Sequence, residues 1–340
     1  MESISEHNEI LPTADAPDPI PDEELVIRRP ADEGKPAAIR FLAFNTVVDI
    51  EAFGDDGAAQ AAFNECLALC RTYERLFSRT LPHSDISRIN GAGGADVQID
   101  PRTFDLLTRA VRYCAESEGA FDITVGSLVR LWDFHQGVVA DPAAIASALP
   151  HVDWRNLRLW EDFGTGQVRC FARLDDPAAS VDVGGIAKGW IADALMDAMA
   201  PYDLTGIIVN LGGNVAVSGK KPSGAPWKIG VRDPRNPENL LGAVPLSRGS
   251  AVTSGTYERT FTAPDGTVYH HILDPRTGMP ATTDVASVTL LCDRSIDAEG
   301  FSTTLLALGT ERGSALVRRH PEISQAFFVD HEGTIAPVYK

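Results

Sequence analysis

The chain has 340 residues, 44% hydrophobic and 23% charged, a globular balance that excludes a wholly disordered protein. Thirty basic residues against 47 acidic give a net charge of −17, which excludes a protein built to grip a nucleic-acid backbone through Lys and Arg. No apolar run approaches the length of a membrane-spanning helix, so no membrane insertion is expected.

Residues 1–35 hold ten acidic and three basic residues, with prolines at 12, 17, 19, 21 and 30 and another just beyond at 36. Such a stretch buries too little apolar surface to offset its ordering entropy, so 1–36 is expected to be a disordered acidic tail. It shows no basic-then-apolar leader, and Arg28-Arg29 is followed by no apolar run, which points to a cytoplasmic address. From Ala37 to Ala52 the chain is apolar and β-rich and reads as an opening strand. Asp55-Asp56 precede a helical pattern over 57–78 with Phe63, Leu67, Tyr73 and Leu76-Phe77 on its apolar face. Pro101 starts a second helix that Gly119 ends, and a third runs from Gly189 through Met199. Short strands follow between 205 and 293, separated by Gly, Pro and Asp turns. A last helix is expected over 297–308 and again over 313–319, before AFFVD and IAPVY close as a hairpin. Helices and strands are partly segregated, which favours an α+β fold over a doubly wound sheet.

Cys66, Cys70, Cys114, Cys170 and Cys292 form an odd, scattered set without zinc-ligand spacing, and read as buried thiols in a reducing compartment. Three further segments carry chemistry. Val181-Asp182-Val183-Gly184-Gly185-Ile186-Ala187-Lys188-Gly189 leads into a helix, and its glycines let the backbone approach a ligand near unpaired N–H groups suited to phosphate. Its spacing is neither that of a P-loop nor that of a dinucleotide fingerprint; alone it could be a tight strand–helix turn. His270-His271-Ile272-Leu273-Asp274-Pro275-Arg276-Thr277-Gly278 places imidazole, carboxylate and guanidinium on a strand end and turn. Glu299 and Thr303 lie one helical turn apart, a hard-oxygen pair appropriate to Mg²⁺, although an acidic first turn also simply complements the helix dipole. Gly119-Ala120-Phe121-Asp122 and Asn210-Leu211-Gly212-Gly213-Asn214 are glycine-punctuated turns of the same unusual kind.

Taken in order, these segments, with Asp85-Ile86-Ser87-Arg88-Ile89-Asn90, VDVGGIAKGW, AVTSGTY, HHILDPRTGMP and AEGFSTTLLALG, resemble the ApbE family of FAD:protein FMN transferases from about residue 40 to the C-terminus. The resemblance implies a T-fold-like α+β architecture, with helices packed on a mainly antiparallel sheet, for a transferase domain over 37–340. It implies Mg²⁺-dependent transfer of FMN from FAD to a Ser or Thr hydroxyl of another protein, with release of AMP. It places Ala120, Phe121, Asp122, Asp182, Lys188 and Leu273 against FAD, and Gly185 (through its carbonyl), Glu299 and Thr303 around Mg²⁺. His271 and Asp274 are the candidate proton acceptors, His271 first because an imidazole titrates near neutrality. Glu299 stands where the family usually has aspartate, Ile123 where it has proline, and Thr256 where aspartate is common. The implied partner is a flavin-acceptor protein bearing Ser/Thr-Gly-Ala-Ser/Thr. Ser223-Gly224-Ala225-Pro226 lacks the last hydroxyl, so the chain is not expected to flavinylate itself. A monomer or homodimer is expected. Two other readings stay open here, a Mg²⁺-dependent FAD pyrophosphatase and a flavin-binding module without catalysis.

Overall fold

The computed structural model describes Ile20 and residues 23–117, 119–164 and 166–340. Its elements begin with β1 (Val26–Arg29), β2 (Ala37–Ala43), β3 (Thr46–Gly54), α1 (Asp56–Phe77), α2 (Asp85–Gly91), β4 (Val97–Ile99) and α3 (Pro101–Glu116). Then come α4 (Gly126–Val129), α5 (Pro142–Ala148), β5 (Leu157–Asp162), β6 (Arg169–Leu174), α6 (Ala187–Met199), β7 (Leu204–Leu211) and β8 (Asn214–Gly219). The chain continues through β9 (Trp227–Asp233), β10 (Asn236–Leu246), β11 (Arg248–Gly255), β12 (Thr260–Thr262), β13 (Val268–His270) and β14 (Val285–Cys292). It ends with α7 (Ser295–Arg319), β15 (Ile323–Asp330) and β16 (Ile335–Tyr339).

Nine strands form one sheet in the order β1-β2-β3-β7-β8-β11-β14-β15-β16. Every neighbouring pair is antiparallel, so the expected α+β class with a mainly antiparallel sheet is what the chain adopts. Helices α1, α6 and α7 cover one face. The other face receives the β9–β10 ribbon, whose Trp227 and Ile229 pack with Phe53, Val217, Ala251 and Leu291. Covered on both sides, β14 is buried at every position, which is why it reads as a continuous apolar run rather than an alternating one. Asp55 caps α1 by accepting from the Ala58 N–H, and Asp100 caps α3 ahead of Pro101. A smaller lobe is built by α4, α5 and the 260–280 region around Leu128, Trp132, Ile145 and Leu273. Trp132 ties its halves together, the indole N–H donating to the Gly278 carbonyl at 3.2 Å.

Two sequence expectations are corrected. The single strand expected over 37–52 is the β2–β3 hairpin, because Phe44 and Asn45 both take φ of 56° and reverse the chain inside an apolar stretch. The tail expected over 1–36 lies mostly outside the described residues, but its end belongs to the sheet: Val26 pairs with Phe41 on an edge strand whose exposed residues are Ile27, Arg28 and Arg29. The sheet β4-β6-β5 was not anticipated, because β4 is short and the exposed positions of β5 are charged. The break expected between 308 and 313 falls at Gly309 (φ 79°, ψ 176°), where the Asp284 carboxylate accepts from the Thr310 N–H and recaps the second half of α7. All five cysteines are buried and unpaired, as read from their spacing, and burial pushes the Cys66 thiol up to about 12. Among the described residues no helix is long and apolar enough to cross a membrane.

The functional residues converge where α6 crosses α7. A Cβ at Gly189 would lie 2.6 Å from Cβ of Glu299 and 2.7 Å from the Ser295 carbonyl oxygen, so only glycine allows the two helices this approach. Gly189→Ala is therefore expected to cost about 1–3 kcal/mol by overpacking. Thermal denaturation checks this, and a melting curve superimposable on that of the unaltered protein would contradict it.

Candidate active site

The glycine turn before α6 is held from behind. Asn90 of α2 accepts from the Val181 N–H at 2.7 Å and donates to the Val181 carbonyl at 2.9 Å, fixing the chain entering the turn. Asp182 then accepts from the Gly184 N–H at 2.8 Å and faces the Arg79 guanidinium at 3.2 Å. The ring of Phe121 lies over Gly185, 3.0 Å from where a Cβ would be, so a side chain at 185 would strike the ring. Ala120, Phe121 and Asp122 are buried beside this turn. The Asp122 carboxylate is fully used by the chain itself, accepting from the Thr124 N–H at 2.7 Å, the Thr124 hydroxyl at 2.6 Å and the Trp154 N–H at 3.0 Å. Burial raises its pKa against those hydrogen bonds, and its work is to shape the loop.

Three residues after Gly185, the Lys188 ammonium bonds Oε1 of Glu299 on α7. The other oxygen, Oε2, accepts from the Asn214 amide at 2.5 Å. The Ser295 hydroxyl donates to the Asn214 amide oxygen at 2.7 Å and itself accepts from Ser250 at 3.0 Å, so the amide has a fixed orientation. Thr303 stands one turn along α7 and is partly exposed. Glu299 and the start of α6 just after the glycine turn are thus neighbours, through Lys188 and Gly189. Glutamate at 299, one methylene longer than the aspartate expected there, reaches both Lys188 and Asn214.

Glu258, following β11, lies 3.7 Å from the Arg232 guanidinium. Burial raises its pKa, partly offset by Arg232, Lys188 and Arg259, while the Glu299 charge adds to the rise. Glu258 and Arg259 are parts of this centre that sequence reasoning passed over; a charged pair after a strand looks like an ordinary loop. Asn214 lay within a stretch already marked as unusual, but its partner was not legible.

His271 joins the centre through its backbone, its N–H donating to the Arg259 carbonyl at 3.2 Å. Nδ1 of His271 is buried with no hydrogen-bond partner among the described residues. Burial, then the nearby charges of Arg259, His270 and Lys188, push its pKa down to about 3, so the imidazole is neutral and free to accept a proton. Asp274, the other candidate acceptor, is committed to its own turn: its oxygens take hydrogen bonds from the Arg276 backbone at 3.0 Å and guanidinium at 2.9 Å. Burial would raise its pKa, but the Arg276 bonds and charge outweigh it and hold the carboxyl low. Leu273 is buried in the small lobe, bridged to Pro280.

A buried carboxylate with one neutral donor and one cationic partner, beside the helix start that follows a glycine turn, is an arrangement that can hold a hard divalent cation against a phosphorylated ligand. The chain matches the model of the ApbE family over residues 44–328. It is 34% identical over 300 residues to an FAD:protein FMN transferase of Treponema pallidum, covering 84% of this chain and 82% of that one. A second such transferase, from Klebsiella pneumoniae, is 33% identical over 280 residues, covering 81% and 84%. Among solved structures, the ApbE protein of Thermotoga maritima superposes with a TM-score of 0.78 at 30% identity, covering 89% of this chain and 96% of that one. The flavinyl transferase ApbE of Pseudomonas stutzeri, in its apo form, gives 0.75 at 28% identity, covering 90% and 95%.

Proposed function

The chain belongs to the ApbE family and is an FAD:protein FMN transferase, and from that premise we propose how its residues carry out the transfer. The acceptor is a Ser or Thr hydroxyl of a separate protein, within a Ser/Thr-Gly-Ala-Ser/Thr segment. Its oxygen attacks the FMN-side phosphorus of FAD; the new O–P bond forms as the bridging P–O bond breaks, and that electron pair leaves with AMP. The hydroxyl proton passes to the His271 imidazole. Burial is the main reason the imidazole is neutral; a diphosphate close to Arg259 and Lys188 would offset the smaller, repulsive part of that shift and make it a stronger base.

Glu299, Thr303 and the Gly185 carbonyl would hold Mg²⁺. The donor set fits a hard cation, because the buried Glu299 carboxylate already takes the cationic Lys188 as a partner. Mg²⁺ when bound neutralises the diphosphate and the departing AMP. Asp182, oriented by Gly184 and Arg79, would position the dinucleotide, with Ala120, Phe121 and Leu273 lining its approach. The buried, unpaired thiols suit a reducing, cytoplasmic setting.

The observation that carries this reading is the Glu299 carboxylate, held at the α6–α7 crossing next to the glycine turn. Incubation with FAD, Mg²⁺ and a peptide bearing the acceptor pattern tests it. Flavin fluorescence on the peptide is expected; free FMN with an unlabelled peptide would mean water is the acceptor, and unchanged FAD would leave only binding.

A further inference from the structure

The two oxygens of Glu299 are held in different ways. On the Oε2 side, Asn214 is locked by Ser295 and Ser250 in a buried network that cannot move without breaking the β8–α7 contact. On the Oε1 side, the partner is the end of a flexible four-carbon chain from the first turn of α6; the Lys188 side chain is 26% exposed against 6% for Glu299. One grip is neutral and buried, the other charged, partly exposed and carried on a long side chain.

We propose that Lys188 is a resident counter-cation that occupies the Glu299 seat until a divalent cation displaces it, and that the diphosphate of FAD draws its ammonium away, so that FAD and the cation bind cooperatively. The proposal rests on the reading of Glu299 as a cation ligand given above.

A carboxylate this deeply buried is costly without a positive partner, and in the free enzyme Lys188 is that partner. A divalent cation at Oε1 would meet the ammonium within a few ångströms, and two positive charges so close in a partly buried site repel strongly. The ammonium must therefore leave as the cation arrives. Within the free protein the charged groups around it are Glu258, already shared with Arg232, and the cationic Arg259; the neutral His271 offers it no charge. None is a good destination for a second cation. A diphosphate at the glycine turn, three residues upstream on the same helix start, is a better one. Displacement of Lys188 is therefore hard without FAD and easy with it. By linkage, whatever FAD does for the cation, the cation does for FAD.

The test is Mn²⁺ binding, followed by the free-ion electron paramagnetic resonance signal, on unaltered enzyme, Lys188→Met and Glu299→Gln, each with and without FAD and without acceptor. For the unaltered enzyme, FAD is expected to tighten Mn²⁺ binding about tenfold or more, within the usual range of site–site coupling. Lys188→Met is expected to bind Mn²⁺ about tenfold tighter than the unaltered enzyme when FAD is absent, and to gain less from FAD. Lys188→Gln, with a shorter polar side chain, should behave alike and serves if the methionine variant folds poorly. Equal or weaker Mn²⁺ binding by both Lys188 variants without FAD would overturn the proposal, as would an FAD effect below twofold on the unaltered enzyme. If Glu299→Gln binds Mn²⁺ as the unaltered enzyme does, the metal reading itself fails. If only the Lys188 result fails, that reading stands and this one falls.

Discussion

Glu299→Ala is expected to lower FMN transfer by about 10²–10³-fold, the range seen when one electrostatic stabiliser of a transition state is removed. The assay is flavin incorporated into an acceptor peptide at saturating FAD and Mg²⁺. The alanine variant also strips Asn214, which is 1% exposed, of its acceptor, and a buried donor left unsatisfied costs about 1–3 kcal/mol. Glu299→Gln separates the two effects. Its amide oxygen can still accept from Asn214, so its melting temperature should stay closer to that of the unaltered enzyme than the alanine variant's, while transfer falls comparably because the charge is gone. Full activity in the glutamine variant would remove this carboxylate from the cation shell.

The second large effect is expected at His271. Removing the imidazole should cost about 10²–10⁴-fold in transfer, the usual contribution of a positioned proton acceptor. The pH dependence is the sharper measurement. With its pKa pushed down to about 3, His271 stays neutral through the working range of the free enzyme. The kcat/KM profile should therefore show no inflection from this group near pH 6.5, where an ordinary histidine titrates. The same displacement has a sign for stability. Below pH 6.5 the unfolded chain takes up a proton at 271 that the native protein refuses, so stability is full above that pH and falls as pH drops toward about 3. At pH 5 the share due to this one imidazole is about 2 kcal/mol. Urea denaturation at pH 7.5 and pH 5 of the unaltered enzyme and His271→Asn would measure it; an equal acid-induced loss in both would assign it elsewhere. His270 is displaced in the same direction by burial, so some acid sensitivity should persist in the variant.

Much of this architecture can be read from residue order, and the parts that cannot have physical reasons. Helices α1 and α3 announce themselves through Asp55 and through Asp100-Pro101, since a cap is a local event between neighbours in sequence. The β2–β3 turn hides because its left-handed pair includes Phe44, a residue that favours no turn. At the site, the glycine turn, Glu299 and His271 belong to short motifs with unusual composition, and they are legible for that reason. The Asn214–Ser295–Ser250 network has no such signature, because it joins three ordinary polar residues from β8, α7 and β11. The engagement of Asp122 with Trp154, and of Asp274 with Arg276, likewise emerges only once the chain is folded. Both carboxylates are also fasteners of their own loops, which their neighbours in sequence do not reveal.

The seam between β3 and β7 carries a consequence for how this enzyme comes into being. Val48 pairs with Leu211 and Ile50 with Val209, so the sheet joins across a very long stretch of intervening chain. Closing so large a loop is an entropic barrier that must be crossed before its contacts repay it, and such topologies fold slowly. Until β7 is available, the β3 edge has no native partner, and an open strand edge is a template for mispairing. His271 and Glu299 come later still, so a chain that has closed this seam but ends before them has nothing with which to move a flavin.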